Sequence, residues 1–180
     1  AAKKIRIEYE ELEPVLSIED AWEKGLFTYT PPKVVLGDAE ATIEKSARRV
    51  SGEIRCGGQD HFYLESHIAL VVPGEDRDMT VYSSTQHPTE VQHGVSRLLD
   101  IAQNDVTVEV RRMGGGFGGK ESQSTIVAGI AALLSFKCRK PVKLRLRRDD
   151  DMIATGKRHD FLFRYRFGFD NTGRIDSAII

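Results

Sequence analysis

The alternation of apolar and polar positions changes period several times along this chain, and each change marks an element. Ile5-Arg6-Ile7-Glu8-Tyr9 alternates with period two and predicts a strand, with Leu12-Glu13-Pro14 as its exit. Ser17 precedes Ile18 and stands three residues before Asp20, an N-cap with an acid at the third helical position. That pattern predicts a short helix over 18–24, stopped by Gly25. Residues 26–36, with Pro31-Pro32, keep no steady period and read as a surface linker, and residues 37–48 predict a second short helix. From Val50 the pattern becomes strand-rich. Strands are predicted over 50–54, 63–72 and 79–84, the last two joined by a charged turn, Gly74-Glu75-Asp76-Arg77-Asp78. Pro88 at a first turn opens a helix through Leu99 with Val91, Val95, Leu98 and Leu99 on one face. A strand over 105–111, an Ala-rich buried helix over 124–138, a strand over 141–147, and an acidic turn at Asp149-Asp150-Asp151 come next. A hairpin of 161–169 and 174–180 around Asn171-Thr172-Gly173 closes the chain. Strands and helices are interleaved without internal repeat, so the predicted class is α+β (mixed α/β).

Between the strand 105–111 and the helix 124–138 lies Arg112-Met113-Gly114-Gly115-Gly116-Phe117-Gly118-Gly119-Lys120-Glu121, with five glycines in six positions. A strand, a glycine loop and a helix N-terminus in that order make an anion cradle. Backbone N–H groups are exposed, glycine admits a ligand close to the main chain, and the helix dipole favours negative charge. Three readings compete. Gly114-x-Gly116-x-x-Gly119 matches the dinucleotide fingerprint, but that fold expects an acid about 20 residues on, and Asp149 lies well past that point. Gly114 to Lys120 also fits a phosphate loop, yet Glu121 stands where a Ser or Thr should bind magnesium. A tight turn with no ligand is the third reading, which five glycines and their unfolded-state entropy disfavour.

Composition narrows the classes further. Hydrophobic content of 40 %, charged content of 29 % and a formal net charge of −1 describe an ordinary globular chain with no pull toward nucleic acid. No apolar stretch reaches membrane-spanning length and Ala1-Ala2-Lys3-Lys4 is no signal peptide, so a cytoplasmic location is expected. Cys56 and Cys138 suit a reducing compartment and read as small buried hydrophobes. The five histidines show no metal-ligand spacing and read as structural hydrogen-bonders. Lys143, Arg145 and Arg147 alternate as a basic stripe facing solvent or another domain. On residues alone, Gln86 reads as a side chain satisfying buried backbone groups, and Glu121 as either a helix-capping acid or a ligand contact. Both chain ends look cut, which predicts a fragment of a longer polypeptide.

The string Arg112 to Glu121 resembles the molybdenum-cofactor-binding subunit of the xanthine dehydrogenase and aldehyde oxidase family, with bacterial xanthine dehydrogenases the nearest match. Gly57-Gly58-Gln59-Asp60-His61-Phe62-Tyr63-Leu64-Glu65, Ser83-Ser84-Thr85-Gln86-His87-Pro88 and Arg148 to Phe161 fit the same family in the same order. The resemblance implies that residues 1–24 end a preceding hammerhead-like α/β domain, 25–40 form a linker, and 41–180 begin the cofactor-binding domain. It implies molybdenum-molybdopterin as cofactor, with Gln86, Gly115, Gly116, Phe117 and Gly118 as cofactor contacts and Gln86 touching an oxygen ligand of the metal. The metal itself is held by the pterin's sulfurs, with no direct protein ligand. Glu121 then orients the substrate. Aldehyde oxidases usually carry an apolar residue there, so Glu121 implies a purine: hypoxanthine or xanthine taken to urate, by insertion of water-derived oxygen and hydride transfer to the molybdenum sulfur. The family's catalytic base would lie beyond Ile180, leaving this piece inactive alone. Partner subunits or domains would carry 2Fe–2S clusters and FAD, with NAD as final acceptor, in an oligomer of heterodimers. The alternative is a dinucleotide- or phosphate-binding module using the Gly114–Gly119 loop.

Overall fold

Alternating burial along two adjacent strands organises the region that holds the glycine loop. A computed structural model describes residues 2–180. Within Gly58–His159, one of two compact units, β2 (Ile68–Pro73), β3 (Met79–Ser83), β4 (Val106–Glu109) and β5 (Val142–Arg145) form a sheet in the order β4-β3-β2-β5. β2 pairs antiparallel with β3 and with β5, whereas β3 and β4 are parallel. Parallel neighbours need a crossover, and α3 (Pro88–Leu99) supplies it between them. Ala69, Val71, Met79 and Val81 turn to one face and are at most 2 % exposed, while Thr80 and Tyr82 on the other face are half-buried.

Two helices cover the apolar face. α4 (Gln123–Cys138) packs on β2, β3 and β5, and α3 packs on β4 and α4. α3 contributes Val91 and Val95, and α4 contributes Val127, Ala128, Ala131 and Ala132, all merged in one core with the strands. Small residues on α4 let the two helices approach closely, and Thr125 fills the space a side chain on Gly94 would need. α3 keeps its expected bounds, but Leu98 is half-exposed and Ser96 takes a buried place instead.

The second unit comprises the chain up to Gly57 together with Asp160–Ile180. Here α1 (Ile18–Glu23) is capped as expected, Ser17 Oγ accepting from the Asp20 N–H at 3.0 Å, and Gly25 follows with φ +63°. α2 (Ala39–Lys45) is capped by Asp38 and buries Ile43. β1 (Arg48–Cys56), β6 (Phe161–Phe169) and β7 (Ile175–Ile179) form an antiparallel sheet in the order β1-β6-β7. α2 packs on β6 and β7, and Ser46 occupies the space beside Gly168.

Several expectations are corrected. Residues 5–9 are exposed and belong to neither sheet, so alternation without a neighbouring strand to take its hydrogen bonds does not make a strand. β2 begins at Ile68, not 63. The acidic run 149–151 opens a helix, α5 (Arg148–Ala154), where carboxylates in the first turn suit the backbone dipole. Cys56 and Cys138 are both exposed free thiols, because each ends its element rather than facing a core. No helix among the described residues is long and apolar enough to cross a membrane.

Met79 opens the buried face of β3 and is 2 % exposed. Met79→Ala is expected to destabilise the unit by about 2–5 kcal/mol, the cost of lost burial plus a residual cavity, measured as a lowered denaturant midpoint at constant m-value.

Candidate functional site

The glycine loop rests on residues 61–65, an irregular stretch with a positive φ at Phe62, whose side chains at 61, 63 and 65 meet it. A side chain on Gly119 would meet Tyr63 Cε1 at 2.7 Å and His61 Cγ at 2.8 Å, and one on Gly114 would meet Glu65 Cβ at 2.5 Å. One on Gly116 would collide with Gln86 Oε1 at 2.5 Å. Three glycines therefore serve close packing inside the protein, which narrows the expectation that all admit a ligand. Gly115 and Gly118 take φ of +90° and +89°, which bends the loop outward at Phe117, itself 74 % exposed. Only beside Gly118 is there room, its nearest neighbour being His61 Nε2 at 3.9 Å.

The loop's amides divide into two sets. Gly114 N–H donates to Glu65 Oε2 (3.1 Å), Gly119 N–H to Gly116 O (2.7 Å), and Gly118 and Lys120 N–H both donate to Gln86 Oε1 (3.0 and 3.2 Å). The N–H groups of Gly115, Gly116 and Phe117 have no acceptor among the described residues. Gln86 also donates its own N–H to Lys120 O at 2.9 Å. Its amide oxygen is thus fixed by two donors, and its Nε2 is left as a donor with no protein acceptor among the described residues. Gln86 satisfies backbone groups, as its residue type suggested, yet it does so from an exposed position.

Beneath the loop lies a charged network that the sequence reading did not single out. Lys120 is fully buried, with Nζ 2.9 Å from Glu65 Oε2, 2.9 Å from Ser84 Oγ and 4.8 Å from the Tyr63 ring centroid. Ser84 Oγ donates to the same Glu65 oxygen at 2.5 Å. Burial raises the Glu65 pKa, but hydrogen bonds from Ser84, Lys120 and Gly114 outweigh it and hold the carboxyl below its ordinary value. Lys120 O accepts from Thr85 Oγ1 and Ser124 Oγ, each at 3.0 Å, which ties the loop to the start of α4. Further in, Asp151 (2 % exposed) accepts from the Tyr63 hydroxyl and the His67 main-chain N–H, both at 2.6 Å. Burial, then the bond to Asp151, pushes the Tyr63 phenol above its usual range. The signal that was available is chemical: a lysine flanked by packed glycines needs an acid, and Glu65 sits in the motif at 57–65.

His67 was expected to be a structural hydrogen-bonder. Its ring is buried edge-on to Tyr63, and neither ring nitrogen has a partner among the described residues; burial keeps the imidazole neutral by lowering its pKa. His87 does fit the expectation, its Nδ1 lying 3.1 Å from Glu90 Oε2. Lys143, Arg145 and Arg147 are all exposed, but only the first two lie on β5; Arg147 is the N-cap of α5 and pairs with Asp150 at 2.9 Å. Glu121 is exposed, one residue past Lys120, and its carboxylate takes no hydrogen bond or ion pair among the described residues, so it does not cap α4. Gln86 and Glu121 are both exposed, and Lys120 links them along the chain: its C=O accepts from the Gln86 N–H, and Glu121 follows it in sequence. No group of three or more His, Cys, Asp or Glu residues able to hold a metal occurs among the described residues.

The chain belongs to the molybdopterin cofactor-binding domain family of the xanthine dehydrogenases and aldehyde oxidases, which matches residues 26–179. It is 43 % identical to a xanthine dehydrogenase/oxidase of Gallus gallus over 98 % of this chain and 13 % of the relative. It is 46 % identical to a xanthine dehydrogenase of Dictyostelium discoideum over 97 % and 13 %. With an aldehyde oxidase 2 of Cavia porcellus it is 44 % identical over 100 % and 14 %. The chain therefore spans about one-seventh of the length of these relatives. Among solved structures, quinoline 2-oxidoreductase of Pseudomonas putida 86 superposes with a TM-score of 0.78 at 25 % identity, covering 97 % of this chain and 23 % of that one. An aldehyde oxidoreductase of Desulfovibrio desulfuricans shares the fold at TM-score 0.80 and 19 % identity, over 97 % and 20 %.

Because the folded protein lowers the Glu65 pKa, its contribution to stability is complete above the ordinary glutamate value of about 4.3 and is lost as pH falls from there through the lowered folded value. Unfolding by urea between pH 7 and pH 3 should show that loss, and Glu65→Gln should flatten this part of the profile.

Proposed function

We propose that this chain is part of a molybdenum hydroxylase acting on purines, with loop 114–119 and Gln86 holding a molybdenum-pterin and Glu121 orienting the substrate. The observation that carries the reading is the donor set: three consecutive unshared amides at Gly115, Gly116 and Phe117, flanked by the free Nε2 of Gln86. These groups fit a large anionic ligand rich in acceptors, and none of them is a metal ligand, in keeping with a metal carried by the pterin. When bound, that cofactor supplies the oxidation of an electron-poor ring carbon with oxygen drawn from water.

What the chain's own residues do follows from their chemistry. The Gln86 amide, held by its oxygen, presents N–H to an oxygen of the cofactor and positions it through a neutral hydrogen bond. The unshared amides bind acceptors by dipole without a reorganisation cost, because Gly118, Gly119 and Lys120 already hold the loop's shape. Glu121, unpartnered within the protein, is available to hydrogen-bond a purine ring nitrogen or carbonyl as charge builds there. Overall identity does not separate the two subclasses, since xanthine dehydrogenases and an aldehyde oxidase match equally well. Glu121 is the residue that favours the purine.

The boundaries 1–24, 25–40 and 41–180, a cytoplasmic setting, 2Fe–2S and FAD modules, NAD as final acceptor and an oligomer of heterodimers complete the proposal for the whole protein. The dinucleotide or phosphate alternative is weakened by geometry. The lysine that a phosphate loop would aim at its ligand is buried against Glu65, and the glycines end before α4 begins at Gln123. Metal analysis of the full-length protein decides between them: molybdenum with purine hydroxylation on one reading, bound nucleotide and no molybdenum on the other.

Two variants probe the site. Glu121→Ala should lower purine turnover about 10²-fold while molybdenum content stays near the parent's, as expected for one lost transition-state contact; parallel loss of both would make the residue structural. Gly116→Ala, whose added carbon would lie 2.5 Å from Gln86 Oε1, should reduce the molybdenum-pterin content of the purified protein.

A further inference from the structure

Lys120 bonds Gln86 directly and reaches the loop's entrance through Glu65. Its ammonium is fully buried on Glu65 and Ser84, and that same Glu65 oxygen receives the Gly114 N–H at the loop's entrance. Its main-chain N–H donates to the Gln86 side-chain oxygen, and its C=O accepts from the Gln86 N–H as well as from Thr85 and Ser124. Glu65 in turn donates its own N–H to Gly114 O at 3.1 Å, so both main-chain polar groups of Gly114 are held by Glu65. Burying an ion pair is costly, and an apolar pair of similar size stabilises a fold as well or better. Geometry, not stability, is what such a pair can supply: it fixes where the loop starts and where the next N–H for Gln86 sits.

Resting on the reading that this site holds a molybdenum-pterin, we infer that Glu65 and Lys120 are positioning residues for the cofactor loop. They set the loop's entrance at Gly114 and, through Lys120's main chain, the orientation of the Gln86 amide. Neither touches the cofactor. Lys120 is buried, and the Glu65 oxygen in use faces Ser84, Lys120 and Gly114.

The test uses the full-length protein with Glu65→Gln, which keeps the side chain's shape, and Lys120→Met, which keeps its length. Two readouts are taken: hydrogen exchange in the peptide spanning 112–122 of cofactor-free protein, and the rate of pterin release from loaded protein. Both variants are expected to exchange and to release pterin roughly tenfold faster, the scale on which supporting residues act around bound metals, with exchange in α3 and in residues 127–138 of α4 unchanged. Should Lys120→Met fail to fold, Glu65→Gln alone carries the same readouts. Wild-type exchange and release rates in the variants overturn the inference, as does faster loop exchange accompanied by equal acceleration in α3 and α4, which is general destabilisation. A full-length parent that contains no pterin overturns the reading of the site itself and takes this inference with it.

Discussion

A buried ammonium has to be neutralised where it lies, and that requirement shapes the ground under the glycine loop. Removing a lysine charge from water costs several kcal/mol unless an acid and further acceptors meet it. Lys120 meets Glu65, Ser84 and the face of Tyr63, drawing together the stretch before β2, the end of β3 and the approach to α4. Those three segments are far apart in sequence, and the pairing joins them at the end of the sheet where β2 starts and β3 finishes. Gln86 and Glu121 each stand one or two residues from a member of this cluster, Ser84 and Lys120.

The same cluster explains which parts of the chain its pattern revealed. Where the inward side chains are apolar, periodicity reads correctly: β3, α3 and α4 fall close to their expected bounds, with Pro88 marking the start of α3. Between residues 61 and 67 the inward side chains are His61, Tyr63, Glu65 and His67, mostly polar, so a rule that equates inward with apolar extends β2 too early. Residues 149–151 misled for a related reason: charge suggested a turn, whereas their position at a helix start makes the charge favourable. Residues 5–9 show the limit from the other side, since alternation carries no information about whether a partner strand is adjacent. For the site, Gln86 and Glu121 were legible through the family motif rather than their own chemistry. Lys120 and Glu65 were present in those motifs but unassigned, because a Gly-Lys pair in sequence points to phosphate, and only the fold shows the lysine turned inward.

The glycines, which look alike in the string, do two different jobs. At 114, 116 and 119 the missing side chain is replaced by Glu65, Gln86, Tyr63 and His61, so the backbone is brought against protein. At 115, 117 and 118 positive φ angles turn the chain, and the N–H groups of Gly115, Gly116 and Phe117 find no acceptor among the described residues. The first group makes the floor and the second shapes the turn above it. A run of five glycines is therefore consistent with a rigid loop, because most of the freedom that glycine adds to the unfolded chain is spent on fixed contacts.

Charge neutralisation also bears on what kind of anion the site suits. A phosphate loop presents a lysine directly to its ligand, and affinity there grows with ligand charge. Here the lysine is cancelled by Glu65 before it reaches the surface, and Gln86 is neutral, so the loop offers N–H dipoles rather than the charge of Lys120. Dipoles reward acceptors placed at matching positions more than they reward total charge. A small, densely charged ion loses hydration at such donors without gaining a counter-charge, whereas a broad ligand can meet several donors at once, which is the physical ground of the molybdenum-pterin reading proposed above.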